Sequence, residues 1–119
     1  MGLDVSIYLP RSDEDILSLR NHWSLFDAMC SVGAADGNDR ISDFFIDERV
    51  LEHVEAEIEA WWPEVSAQRT FDEAEFDQLM HDGEEDLPAE ILKGLYRQVI
   101  RKLRASLEES SYLICSWSA

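Results

Sequence analysis

Bases are nearly missing from the middle of this chain. Residues 36–90 hold three arginines and no lysine against 19 aspartates and glutamates, a balance of −16, while the flanks carry seven acids and seven bases. A field of one sign selects partners of the opposite sign, and it speaks against direct binding to nucleic acid, whose phosphates it would repel. Long apolar runs are missing too: nothing approaches the roughly 20 residues of a membrane-spanning helix. The start of the chain lacks the basic and apolar regions of a signal peptide. The expectation is a cytoplasmic protein with no membrane partner. Two cysteines, Cys30 and Cys115, are too few for a disulfide framework, and in a cytosolic chain they are expected as reduced, buried thiols. There are no internal repeats, linkers or low-complexity tracts, so residues 1–119 are expected to form a single domain.

Reaction signatures are equally scarce. There is no nucleophile elbow, phosphate-binding loop or dinucleotide fingerprint, and His22, His53 and His81 fall in no H-E-x-x-H arrangement. Carboxylates are so numerous that any pairing of them is uninformative without geometry. The chain is therefore expected not to be an enzyme, with no catalytic residue, no metal and no cofactor. His53 and Glu57 share a helical face at a spacing that lets two side chains reach one ion, but a third ligand would have to come from elsewhere, such as His81.

What is present is a folding sequence. Hydrophobic residues make up 45% of the chain and 10% is aromatic, which separates it from acidic disordered tails. Leu3, Val5, Ile7 and Leu9 alternate with polar residues up to Pro10, predicting a strand. The same residues account for the start MGLDVS, which matches an N-myristoylation pattern; one acyl chain without a basic patch anchors weakly. Ser12 followed by acids reads as a helix start, with Ile16, Leu19, Trp23, Phe26 and Cys30 as a core stripe running to about Val32. Asp47 caps a second helix ending at Pro63, with Val50, Val54, Ile58 and Trp61 on one side. A third helix covers Asp72 to His81, and a fourth runs from Pro88 to about Glu109 with Ile91, Leu95, Val99, Leu103 and Leu107 inward. Its outer face carries Lys93, Arg97, Arg101 and Arg104. Alternation from Ser111 to Trp117 predicts a terminal strand. The fold class is α+β, mostly helical with about four helices, its short terminal strands paired in a small sheet, with a third strand near Gln68–Phe71.

The segment from Ala34 to Phe45 resembles a calcium-binding EF-hand loop, with acidic or amide side chains at alternating positions around Ile41. It departs from that pattern at Ala34, where the first ligand belongs, at Asp39, where the turn needs glycine, and at Phe45, where the bidentate glutamate belongs. The residues themselves read as a polar turn. A metal- or calcium-binding regulatory domain using Asp36, Asn38, Asp39 and Asp43 is one alternative reading, and a homodimeric structural or adaptor subunit is another.

The leading candidate surface is acidic. Glu48, Glu52, Glu55 and Glu59 line one stripe of the second helix, and the adjacent indoles of Trp61 and Trp62 point about 100° apart, so one of them is a candidate anchor. The same stripe could instead pair with the basic face of the last helix. Glu48, Glu52, Glu55, Glu59 and Trp62 are the expected contact surface for a basic partner protein, such as a nuclease toxin or another nucleic-acid-binding protein, which this chain would occlude as an inhibitor or immunity-type protein. Mutual repulsion of the central carboxylates further predicts stability that rises with salt and with mild acidification from neutral pH.

Overall fold

The computed structural model describes residues 2–12, 14–33, 43–66 and 69–119. The chain runs β1 (Asp4–Tyr8), β2 (Asp15–Arg20), α1 (Trp23–Gly33), β3 (Phe44–Ile46), α2 (Glu48–Trp61), α3 (Glu73–Asp82), α4 (Ala89–Ser106) and β4 (Leu113–Ser118). The strands form one antiparallel sheet in the order β2-β1-β4-β3. The terminal strands pair with each other as expected, Val5 opposite Trp117 and Ile7 opposite Cys115.

The helix expected from Ser12 is instead a strand followed by a shorter helix. Leu17 and Leu19 are buried opposite Ile7 and Val5 in a hairpin with β1, which pairs backbone groups that a lone helix end would leave open. Ile16 and Leu19, three apart, fit a helical face; Leu17 and Leu19, two apart, fit a strand, and the neighbouring strand decides between them. Arg11 and Asn21, at φ 68° and 60°, turn the chain at the two ends of this segment. The Ser12 hydroxyl accepts from the Glu14 N–H in a local turn. The expected five-residue stripe is thus divided between β2 and α1, and Trp23 becomes the first residue of α1, 42% exposed.

The third strand expected near Gln68–Phe71 is corrected too. Residues 67 and 68 lie outside the described residues, and Phe71 is not in a strand: its N–H and C=O are both bonded, at 2.9 Å each, by the side-chain amide of Gln98 in α4. That amide supplies one donor and one acceptor, the pair a neighbouring strand would have offered. The remaining helices match expectation. Asp47 and Asp72 cap α2 and α3 by accepting from Val50 N and Glu75 N, and Pro88 stands at the cap of α4.

The core lies between the helices and one face of the sheet. Leu3, Val5, Ile7, Leu19, Ile46, Leu113 and Cys115 meet Leu25, Met29, Val54, Ile58, Met80, Leu95 and Leu103, all at most 2% exposed; burying each large aliphatic among them contributes about 1.5–3 kcal/mol. His22, fully buried at the head of α1, crosses this core: its Nε2–H donates to the Leu79 carbonyl at 2.9 Å and its Nδ1 accepts from the Tyr96 hydroxyl at 2.7 Å. The opposite face of the sheet is exposed at Phe45 and half-buried at Ser6, Tyr8, Ile114 and Ser116, and at its β2 edge Ser18 is bonded to His81 of α3.

Candidate protein-binding surface

The acidic stripe of α2 lies along α4, and most of it is engaged there. Arg104 reaches Glu48 at 2.6 Å and Glu55 at 2.7 Å with Nη2. Glu59 is bonded by Arg97 and sits 3.2 Å from Lys93 Nζ. Both arginine contacts hold carboxyls below their ordinary range: the hydrogen bond from Arg104 does so at Glu55, and those from Arg97 and Lys93 at Glu59. Glu52 is exposed and has no basic partner among the described residues. Of the two readings open for this stripe, the structure brings Glu48, Glu55 and Glu59 together with the basic helix and leaves Glu52 facing solvent.

Lys93 departs from the expected outer face. It is 2% exposed, and its ammonium donates to the carbonyls of Trp62 at 2.6 Å and Val65 at 2.9 Å. Those carbonyls follow the end of α2, where the helix has no internal donors left. Trp62 is consequently pinned. Its ring meets Trp61 edge-on, with centroids 5.6 Å apart, and lies 6.1 Å from Tyr96, and both indoles are half-buried.

The exposed tryptophan is Trp23. It lines a hollow of about 580 Å³ between Asn21 at the head of α1 and the turn formed by residues 82–86. The turn is firmly built: Glu84 Oε1 accepts from Ser24 N at 2.9 Å, and Glu84 N donates to Asn21 O at 3.2 Å. Gly83 sits at φ 87°, where a Cβ would come within 3.0 Å of the Asn21 Cβ, so only glycine fits without strain. Asp82 accepts from Gln78, while Glu85 and Asp86 are exposed beside Trp23. Sequence reasoning missed this grouping because it placed Trp23 on a core stripe; the alternation from Ile16 to Leu19 was the available signal.

The metal readings gain little. Ala34–Ser42 of the EF-hand-like segment lies outside the described residues, Asp43 is exposed, and Phe44 and Phe45 belong to β3. His53 Nε2 is 3.8 Å from Glu57 and 3.2 Å from Ser31 Oγ. His81, the possible third ligand, is bonded to Ser18 and to the Asp77 carbonyl on another part of the molecule. Among the described residues no group of three His, Cys, Asp or Glu side chains is placed to hold an ion, and no helix is long and apolar enough to cross a membrane. Compared with protein families, curated proteins and solved structures, the chain finds no match.

Proposed function

We propose that this chain is a cytoplasmic protein-binding domain of the inhibitor or immunity type, acting by binding rather than catalysis, and that it occludes a basic, nucleic-acid-binding site on a partner protein. The observation that carries this reading is the uncompensated charge of its centre. Even if all five bases from Lys93 to Arg104 pair with residues 36–90, a balance of −11 remains there, enough to imitate a stretch of phosphate backbone and to steer a basic partner in.

Within that field the hollow beside Trp23 is the best-suited anchor. An indole face flanked by Glu85 and Asp86 offers an arginine or lysine both a cation–π contact and a carboxylate. Glu52 extends the acidic surface along α2, whereas Glu48, Glu55, Glu59 and Trp62 contribute as a braced wall whose charges are partly neutralised. Affinity capture from the native host, followed by titration of the captured protein in rising sodium chloride and competition with duplex DNA, tests the reading. The expected partner is basic, loses affinity as salt rises, is displaced by DNA, and binds Trp23→Ala at least tenfold more weakly. A partner indifferent to salt and to DNA, or direct binding of nucleic acid by this chain, would sink it.

A further inference from the structure

We infer that the open face of the sheet is a self-association surface, on which two copies of this chain pack sheet to sheet. The face carries three rows set by strand register. Tyr8 lies opposite Ile114, and Phe45 lies opposite Ile114 on its other side, with Asp15 opposite Tyr8 on β2 where the register shifts, while Ile16 packs against the core. Ser18, held by His81 of α3 at 2.9 Å, forms the middle row with Ser6 and Ser116, and Arg20, Asp4 and Ser118 form the last. Phe45 is 59% exposed and stacks at 4.8 Å on Tyr112, itself 36% exposed. An apolar band therefore crosses β1, β4 and β3 on the side away from the core and ends at Asp15 on β2.

Charge names the occupant. The chain carries −16, so a second copy is repelled by almost every approach, and a basic partner has no reason to choose a face without surplus carboxylates. On this face Asp4 is neutralised by Arg20 at 3.3 Å, and the other two rows hold only Asp15 as an ionisable acid. A two-fold axis parallel to the strands, passing between β1 and β4, sets β1 over β4 and β2 over β3 of the other copy. Tyr8 then covers Ile114, Ser6 covers Ser116 and Asp4 covers Ser118, so no carboxylate faces a carboxylate. Such self-matching is what a two-fold interface requires, and aligned sheets pack in this way about 10 Å apart.

The face is small. Strands about 4.8 Å apart and rising about 3.3 Å per residue outline roughly 300 Å², below the roughly 800 Å² per partner of stable interfaces. Association is accordingly weak, dependent on concentration, and strengthened by salt, which screens the repulsion between two acidic bodies.

Sedimentation equilibrium from micromolar to millimolar protein, in low and high sodium chloride, tests this. The mass should climb from 13.7 kDa toward twice that value, sooner in high salt. Phe45→Ser and Ile114→Lys should hold it at the monomer, while Glu73→Gln on α3 should not. A wild-type mass that stays monomeric at millimolar protein and high salt overturns the inference, as does a dimer unaffected by either face substitution. Should a variant fail to melt cooperatively, concentration-dependent amide shifts of the wild type decide: on β1, β3 and β4 they support the surface, and on the helices they overturn it. Neither result bears on partner binding at Trp23.

Discussion

Lys93 belongs to a basic stripe by spacing and to the core by position. Its ammonium replaces the missing donors at the end of α2, so Lys93→Met leaves the Trp62 and Val65 carbonyls without their donor and Glu59 with Arg97 as its one remaining cation. Leaving these part-buried carbonyls unpaired costs about 1–3 kcal/mol. Urea unfolding should register a loss of that size; one below about 0.5 kcal/mol, the ordinary effect of a surface change, would mean the carbonyls rehydrate. His22 carries the other prediction at this scale. Burial holds its pKa below 6.5, outweighing the Leu79 carbonyl and the Glu84 charge that act to raise it. The same burial pushes the Tyr96 phenol up, so it stays a donor. A folded pKa depressed below the unfolded value means that His22 contributes stability above about pH 6.5 and loses it as pH falls toward the folded value. Melting temperatures should therefore drop on mild acidification, and in His22→Gln that drop should disappear, leaving the flat or rising curve of the carboxylates. This has the opposite sign to the gain expected from repelled carboxylates alone, because the sequence could not reveal a histidine sealed in the core.

At the scale of elements, three helices and their caps were legible and the fourth was not. α2 and α4 repeat apolar residues at helical steps over ten or more positions and α3 over Phe76, Leu79 and Met80, and Asp47 and Asp72 precede α2 and α3 as acceptors. The stretch from Ile16 to Leu19 satisfies both periods, and the partner that settles it, β1, is separated from it by a turn that passes through the left-handed Arg11. The pairing of α2 with α4 was likewise visible only as two stripes of opposite sign; which carboxylate meets which arginine depends on how the helices cross. Arg104 binds two glutamates, but all three side chains are about 40–50% exposed, so Arg104→Gln should cost no more than about 1 kcal/mol by denaturant melt. The lowered pKa values of Glu55 and Glu59 give the seam a second acid limb. Their contribution is present above the ordinary carboxyl value of 4.5 and fades as pH falls through the depressed one, well below the window of His22.

Across the whole molecule, charge location was legible from composition and the binding geometry was not. The acidic centre stands in the sequence as a run of unlike counts, but whether a tryptophan in it is braced or bare depends on tertiary packing. Trp62 is held by Trp61, Tyr96 and the Lys93 tether, while Trp23, assigned to the core by its spacing, stands beside the acidic turn. Since −16 far exceeds what α4 neutralises, the melting temperature at neutral pH should rise with sodium chloride. A flat or falling curve would mean the carboxylates are compensated internally, and the proposed attraction to a basic partner would lose its main support.

The two middle strands of the sheet, β1 and β4, are also the most distant in sequence. A β1–β2 hairpin can form early, yet the seam that joins it to β4 and β3 must wait for a loop of nearly the whole chain to close, which places the slow step of folding there. Bridging Ser118 to Asp4 with a short Gly-Ser turn and opening the chain in the exposed segment after α2 would convert that seam into a hairpin. In stopped-flow refolding such a permutant should reach the native state about tenfold faster or more, by the loop-closure entropy it no longer has to lose; an unchanged rate would place the barrier in helix packing instead.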